Sequence, residues 1–435
     1  MSVRSVVRST VAPYLTPSGR QAAWNLGWMM AGTVVGQACS IVSLLLLTRV
    51  LGRETYGALS SVLSLRVYML VIGAAGMRHI VLRETGQRPE SHDAVLTGHL
   101  IITGTAGAVV ALAIVIAANL MPISPDERGL WQIIAICNIA SCMGVICFFD
   151  VAHRQAMSAI VVATVELAGL AALVMLERNG YLTLTTAGVI LGGKWVVANA
   201  AMLGLYSAIV HPWRWTYVPA TVREMWRSSR TLLISRLAGN VPTASGVPLV
   251  RLLHGNGAAG LMGLATQAMN AAMMLGAMAN RVLQPHVAGP YGRRPEFLRR
   301  LGGFIILFYG GVALAGVVGS WAVIHFYLPD AFNPAWGPCC LLIVAGLVMS
   351  LARLLSTYLV VARQEAHVAR IEFWSAGLYL LIVPLLATWA SFRGAAIGTA
   401  IASGLLIVLT LFAARTSAAG TEPDCVAGDP ADGAK

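Results

Sequence analysis

Twelve long apolar runs alternate with short polar connections along the chain. They cover residues 22–47, 57–77, 95–119, 130–149, 157–176, 184–210, 231–250, 258–280, 301–327, 336–361, 368–389 and 395–414. Each is close to, or longer than, the ~20 apolar residues that cross a bilayer as a helix. Helices satisfy their own backbone hydrogen bonds in lipid, whereas open strands do not. The pattern therefore predicts an all-α polytopic membrane protein with about 12 transmembrane helices.

The composition supports a chain that is embedded in lipid. Of 435 residues, 57% are hydrophobic and 11% are charged, whereas soluble domains carry roughly 25% charged residues. This balance excludes a soluble enzyme, a disordered chain and a nucleic-acid-binding domain. The net charge of +12 is then explained by basic residues that anchor cytoplasmic loops at the membrane.

The positions of the basic residues predict an orientation. With the N-terminus in the cytoplasm, twenty Arg and Lys residues fall in inside segments and six in outside segments. Because basic loops remain in the cytoplasm, we expect an even number of spans and two cytoplasmic termini. The predicted organisation is a cytoplasmic N-terminal segment (1–21), an N-lobe (22–210), a cytoplasmic basic and aromatic linker (211–230), a C-lobe (231–414) and a disordered cytoplasmic tail (415–435).

The two halves carry similar landmarks in the same order. Gly52 and Gly57, which follow the first run, are matched 203 residues later by Gly255 and Gly260. Tryptophan, Arg-Gln and paired-glycine matches follow at nearly the same offset. The two members of each matched pair lie at spans that are both odd-numbered or both even-numbered. The two halves therefore cross the membrane in the same orientation. We therefore expect two six-helix lobes related by an axis along the membrane normal, with a cavity between them.

Ionisable residues within the spans are the main candidates for chemistry. A charge at a helix centre costs about 2.5–3.5 kcal/mol, so such residues usually face a water-filled interior. Four cations and one anion favour an anionic ligand, and guanidinium groups suit phosphate oxygens. We predict that Arg66, Arg353, Arg236 and Lys194 bind substrate and that Glu166 couples an ion.

Structural roles are the alternatives for these five residues. Arg66 and Arg353 could form structural ion pairs. Arg236 could extend to the cytoplasmic interface. Lys194 and Glu166, which lie at similar depth in neighbouring spans, could neutralise each other.

The seventh run is rich in residues that weaken a helix. It contains Gly239, Pro242, Gly246 and Pro248, and each proline removes a backbone donor. We predict that these four residues form a gate or hinge. The alternative is a static kink.

Motifs for cofactor, metal or covalent chemistry are not evident in the sequence. Gly188-Val-Ile-Leu-Gly-Gly193-Lys194 matches part of a P-loop, but Trp195 stands where Ser or Thr would hold magnesium. The small residues are better explained by close helix packing. We expect no cofactor, no metal site and no enzymatic activity.

The sequence after the first run resembles that of a known family. Trp24-Asn25, Gly32, Gln37 and Thr48-Arg49-Val-Leu-Gly52-Arg-Glu-Thr-Tyr56-Gly57 resemble the opening of bacterial polysaccharide flippases of the multidrug/oligosaccharidyl-lipid/polysaccharide exporter superfamily. The resemblance continues at residues 255–267, 328–336 and 393–398. Arg53 stands where the family commonly has proline. The stretch 246–251 ends in Arg251, although family members often carry an acidic residue late in span 7.

The resemblance implies a flippase of the bacterial inner membrane that works by alternating access. It would translocate undecaprenyl-diphosphate-linked oligosaccharide repeat units for surface or exopolysaccharide biosynthesis through a cationic cavity. Its partners would be that substrate and membrane lipids, with a polysaccharide polymerase and glycosyltransferases as further candidates, and no nucleic acid. The alternatives are a multidrug exporter of the same superfamily, a membrane-embedded glycan-assembly enzyme, or a scaffold for such enzymes.

Overall fold

The regular structure of the described residues is entirely helical. The computed structural model describes residues 17–74, 76–87, 91–288, 295–361 and 365–420. In chain order the α-helices are α1 (Pro17–Ala74), α2 (Met77–Gln87), α3 (His92–Leu120), α4 (Pro125–Cys142), α5 (Ile146–Val151), α6 (Gln155–Arg178), α7 (Leu184–Leu205), α8 (Pro219–Ala244), α9 (Gly246–Ala288), α10 (Pro295–Ala322), α11 (Trp336–Val361) and α12 (Glu365–Gly420). Short π-helical segments, Tyr206–Val210 and Val323–Tyr327, follow α7 and α10, and a 3-10 segment, Asp330–Ala335, precedes α11. The all-α prediction is confirmed.

Eight helical segments in the described ranges are long and apolar enough to cross a membrane. They are Gly27–Ala74, His92–Leu120, Pro125–Val151, Gln155–Arg178, Leu184–Val210, Leu307–Tyr327, Asp330–Ser356 and His367–Ala413. The first and the last contain 48 and 47 residues, more than twice the ~20 that one crossing needs. Each is divided by a backbone break, so each can supply two crossings. The protein is thus a multi-pass membrane protein.

Helices α8 and α9 contain predicted spans 7 and 8 but are not among these eight segments. Arg236, Asn240 and several glycines and prolines lower the apolar content of this region. The count of twelve spans therefore stays a prediction for these two helices.

The breaks in α1 and α9 lie at the matched glycines of the two halves. Gly52 has φ 73° and ψ 172°, and Gly255 has φ 78° and ψ −176°. A positive φ of this kind is disfavoured for residues that carry a Cβ. The two halves therefore share a local backbone conformation at the position where the sequence is duplicated. In α12 the break falls at Ala390 and Ser391.

The described residues group into two compact units. The first takes its residues from Met1–Leu264 and Val323–Ala335, and the second from Ala265–Ala322 and Trp336–Lys435. The division lies within α9, whereas the sequence placed the lobe boundary at the linker 211–230. Helix α8 and the first part of α9 therefore belong with the first unit.

Three local features depart from the simple pattern of apolar runs. The polar connection after Ala74 contains α2, whose Met77, Ile80 and Val81 are buried in a core cluster of the first unit. Helix α1 begins at Pro17, inside the predicted N-terminal segment. Helix α12 continues to Gly420, so residues 415–420 of the predicted disordered tail are helical. The rest of that tail, 421–435, lies outside the described residues.

The P-loop-like run of α7 is a packing surface. A Cβ at Gly188 would lie 2.6 Å from a methyl carbon of Leu130, and one at Gly192 would lie 2.8 Å from Cys137 Sγ. Both neighbours belong to α4. The small residues thus let α7 approach α4 closely, as expected for helix contacts in membranes.

Candidate functional site

A cavity of about 320 Å³ lies within the first unit. Helices α1, α4, α6 and α7 contribute its polar core, and α2, α3 and α5 complete the wall. Its charged lining residues are Arg66, Arg78, Glu166 and Lys194. The cavity therefore brings together three of the five predicted site residues, from helices that are far apart in sequence.

Arg66 projects from α1 into this cavity. Its Nη2 donates to Ser141 Oγ at 3.2 Å, and its guanidinium carbon lies 3.1 Å from the ring centroid of Trp195. Its Nε is buried and has no hydrogen-bond partner among the described residues. Stacking on the indole fixes the guanidinium plane by a cation–π contact, while unused donor capacity remains for a ligand.

Lys194 and Glu166 form an ion pair across α7 and α6. Lys194 Nζ donates to Glu166 Oε2 at 2.6 Å, and the two side chains are 7% and 14% exposed. Gly169 of α6 packs beside the lysine stem, since a Cβ there would lie 3.4 Å from Lys194 Cδ, in ordinary van der Waals contact. In this conformation the two charges neutralise each other, which is the structural role predicted from the sequence as the alternative for Lys194 and Glu166.

The cavity lining carries a net positive charge. Glu166 compensates Lys194, and Asp150 Oδ2 compensates Arg78 at 2.8 Å. Arg66 forms no ion pair with any described carboxylate. The half-buried Arg66 guanidinium therefore favours an anionic ligand, since an unpaired charge is costly in a low-dielectric interior.

The two other predicted substrate residues do not line this cavity. Arg236 lies on α8 and Arg353 lies on α11 of the second unit, and both are exposed. The cavity thus brings Arg66 and Lys194 together with Glu166, whereas Arg236 and Arg353 are not among its lining residues.

Predicted span 7 is interrupted where the sequence places its flexible residues. Helix α8 ends at Ala244 and α9 begins at Gly246, so Ser245 separates them. Pro242 lies inside α8 and is buried. The hydroxyls of Tyr68 on α1 and Ser245 are in hydrogen-bond contact, which holds the interruption against α1.

A second contact holds the start of α9 against α4. Arg251 Nη2 donates to Glu127 Oε1, and Trp131 Nε1 donates to the same oxygen at 3.2 Å. The Glu127 side chain is 7% exposed and that of Arg251 is 21% exposed. Ser124 caps α4, because its side chain accepts a hydrogen bond from the backbone N–H of Glu127. We name Glu127, Trp131 and Arg251 the α4–α9 clamp.

The duplicated segments after the two glycine breaks cross in direct backbone contact. A Cβ at Gly57 would lie 1.8 Å from the carbonyl oxygen of Asn256, and one at Gly260 would lie 2.2 Å from that of Arg53. Arg53 Nε donates to the carbonyl oxygen of Gly257 at 2.8 Å. This hydrogen bond links α1 to α9. Its donor, Arg53, stands where the family that the sequence resembles commonly has proline.

One protein family matches the region that contains these features. The polysaccharide biosynthesis protein family matches residues 22–288, more than half of the chain. The chain belongs to this family. The matched region includes the cavity, the interrupted span 7, the clamp and both glycine breaks, whereas Arg353 lies beyond it.

Several solved structures that the chain resembles are those of flippases and transporters. A lipid II flippase MurJ in an inward closed conformation has a TM-score of 0.73 at 11% identity, covering 89% of this chain and 87% of its own. An inward-facing multidrug resistance MATE family transporter of the MOP superfamily has a TM-score of 0.63 at 13% identity, covering 92% and 100%. A eukaryotic MATE transporter, AtDTX14, has a TM-score of 0.63 at 13% identity, covering 92% and 97%.

These likenesses establish the fold. Together with the family match, they confirm the resemblance to polysaccharide flippases drawn from the sequence. None of the curated protein sequences matches the chain.

The sequence pattern missed the neutral partners of the charged residues. In the sequence, Trp195 is notable only because it stands where a P-loop motif requires Ser or Thr, yet in the structure it stacks on Arg66. Ser141 and Tyr68 gave no signal, because hydroxyl groups are common in membrane helices. Glu127 and Arg251 lie at span ends, where charges are expected, and their pairing across 124 positions needs the fold.

Proposed function

We propose that this protein is a flippase that moves undecaprenyl-diphosphate-linked oligosaccharide repeat units across the bacterial cytoplasmic membrane for surface or exopolysaccharide biosynthesis. The observation that carries the proposal is Arg66, a half-buried guanidinium without a carboxylate partner among the described residues, inside the cavity of a polysaccharide biosynthesis family member. The superfamily fold and the multi-pass helices support transport rather than catalysis.

Arg66 is the proposed ligand of the substrate diphosphate. A guanidinium presents its donors in a planar fork that matches phosphate oxygens, and Trp195 holds that plane. The free Nε adds a donor that the folded chain leaves unused. Arg353 and Arg236 remain proposed substrate contacts of other surfaces, since they lie outside this cavity.

Lys194 and Glu166 are the proposed coupling pair. In the described conformation Lys194 Nζ is bound to Glu166 at 2.6 Å. A phosphate held by Arg66 would compete for the ammonium group, and the released carboxylate could then bind a proton or a sodium ion. Coupling of this kind requires that the two ligands prefer different conformations of the pair.

The interrupted span 7 is the proposed gate. Gly239, Pro242, Gly246 and Pro248 flank the separation at Ser245, where the backbone ladder of a continuous helix is weakened. The proposed orientation places both termini in the cytoplasm. A polysaccharide polymerase and glycosyltransferases are the proposed partners that consume and supply the substrate.

The cation in the cavity also distinguishes this proposal from drug export. An exporter of cationic drugs requires the opposite sign of charge in its binding cavity, because a buried arginine repels a cation.

An export assay in cells that lack the chromosomal gene tests the proposal. We expect Arg66→Gln and Arg66→Ala to abolish surface polysaccharide while the protein remains in the membrane. Arg66→Lys should restore part of the export, because a point charge attracts the diphosphate but loses the fork. Arg178→Gln, which removes an exposed positive charge at the end of α6, is the matched control and should export normally.

Accumulation of lipid-linked oligosaccharide in the Arg66 variants would identify the blocked step as translocation. Normal export by both Arg66→Ala and Arg66→Gln would refute the anion-binding role.

A further inference from the structure

An exposed group of arginines and aromatic residues lies between α7 and the middle of α8. Trp215, Tyr217 and Trp226 are 62%, 58% and 47% exposed. Four exposed arginines accompany them. We name this group the linker surface and define it as Arg214, Trp215, Tyr217, Arg223, Trp226, Arg227 and Arg230.

The extended part of the linker surface is held in place by α3. Asp93 Oδ1 contacts His211 Nε2 at 2.9 Å and accepts from the backbone N–H of Arg214 at 3.4 Å. Thr97 Oγ1 accepts from Trp213 Nε1 at 3.3 Å and from the backbone N–H of Thr216 at 3.2 Å. These contacts fix the backbone, so Trp215 and Tyr217 are displayed outward from an anchored segment.

The helical part of the linker surface occupies one face of α8. At 100° per residue, positions 223, 226, 227 and 230 lie within about 100° of one another. Met225 and Ser229 are buried on the opposite face, and Val222 packs against the same core cluster as Met225. The buried face fixes the rotation of the helix, which leaves the arginines and Trp226 outside.

The position of the linker surface in the chain predicts that it lies at the depth of lipid headgroups. The spanning segment Leu184–Val210 ends immediately before it. Tryptophan and tyrosine are enriched where a membrane meets water, and an amphipathic helix with basic residues lies in that plane. Glu224 is the one acidic residue in the stretch 211–230, against four arginines.

We propose that the linker surface binds the headgroups of acidic phospholipids in the leaflet next to it, with arginines on the phosphates and the aromatic rings in the interfacial layer. Charge complementarity commits the surface to acidic lipids over neutral ones, because each basic residue near an anionic membrane adds to the attraction. This inference does not depend on which substrate the protein transports. Under the proposed orientation, the leaflet is the cytoplasmic one.

Lipid titration of the purified full chain, followed by native mass spectrometry, tests this inference. We expect phosphatidylglycerol to bind more tightly than phosphatidylcholine in a neutral detergent at low salt. The triple variant Arg223→Gln, Arg227→Gln, Arg230→Gln should lose this preference, with phosphatidylglycerol binding about 100-fold weaker, because each of the three arginines contributes roughly fivefold. High salt should reduce the preference of the unmodified chain in the same direction.

A control variant that loses the same number of arginines shows whether the effect is specific to the linker surface. Arg154→Gln, Arg370→Gln, Arg393→Gln removes three exposed arginines from other surfaces and should retain the preference. Farnesyl diphosphate serves as a third probe, because it carries the prenyl diphosphate chemistry of the proposed substrate. Its binding should be unchanged in the linker triple variant and weakened by Arg66→Gln.

Two results would overturn the inference. One is an unchanged phosphatidylglycerol preference in a linker variant that retains its helical content. The other is loss of farnesyl diphosphate binding with phosphatidylglycerol binding intact, which would assign the surface to substrate capture. The salt dependence of the unmodified chain decides the matter if the triple variant does not fold, since a preference that salt does not weaken is not electrostatic.

Discussion

Removal of Arg251 from the α4–α9 clamp would leave Glu127 as a buried carboxylate without its cationic partner. The Glu127 side chain is 7% exposed, and of the described residues only Trp131 would still donate to its Oε1, at 3.2 Å. Loss of one partner of a buried ion pair typically costs 3–5 kcal/mol. Because Arg251 is 21% exposed and water can reach its place, we expect Arg251→Ala to lower the free energy of unfolding by about 3 kcal/mol.

The complementary change should cost less. In Glu127→Gln the amide oxygen can still accept from Trp131, and Arg251 can turn toward solvent. We expect a loss of about 1.5 kcal/mol, the value of a hydrogen bond to a charged group. In the double variant no charge is left unpaired in the protein, so its loss should fall well below the sum of the two single losses.

A double-variant cycle measured by chemical unfolding in detergent micelles gives the coupling energy of the pair directly. We expect a coupling of at least about 1 kcal/mol. Losses that add to within about 0.5 kcal/mol would refute the clamp, since independent sites behave in that way. Arg178→Ala, at an exposed helix end, provides the reference for an arginine without such a role.

Three further predictions concern the crossing, the gate and the orientation. Gly57→Ala should cost at least about 3 kcal/mol or prevent folding, because its Cβ would lie 1.8 Å from a backbone oxygen, whereas Gly310→Ala, with open space around it, should be tolerated in the same unfolding assay. Pro242→Ala should leave membrane abundance normal but slow export, because it restores a backbone donor inside α8; normal abundance with normal export would remove this gate. A cysteine at 179 should react with an impermeant reagent added outside sealed cells and one at 220 should not, and the reverse pattern would invert the proposed topology.

The spans were predictable because they depend on one property that is local in sequence. Each needs about 20 apolar residues, and seven of the twelve predicted runs lie wholly within one α-helix of the structure. The break at Gly52 was also accessible, since its match at Gly255 appears in the sequence as a repeated glycine spacing. Helix α2 was missed because its charged residues alternate with apolar ones in too short a stretch to form a span.

The candidate site was only half predictable for a physical reason. The cost of burying a charge in a membrane marks Arg66, Lys194 and Glu166 in the sequence alone. What surrounds a charge depends on which helices pack together, and neither Trp195 nor Ser141 carries a comparable cost. Sequence therefore identified the charges of the cavity but not the groups that fix their orientation.

Two departures from the family pattern become related once the contacts of α9 are known. Arg53 stands where the family commonly has proline, and its Nε donates to Gly257. Arg251 stands in a stretch where family members often carry an acid, and Glu127 of α4 supplies the carboxylate that binds it. The two contacts thus hold α9 on opposite sides of the break at Gly255, because Arg251 precedes the break and Gly257 follows it. A carboxylate committed to this clamp is poorly suited to bind a transported ion, because leaving Arg251 unpaired would cost stability. This argument favours Glu166, whose partner Lys194 lies in the same cavity as Arg66, as the carboxylate that can exchange its partner during transport.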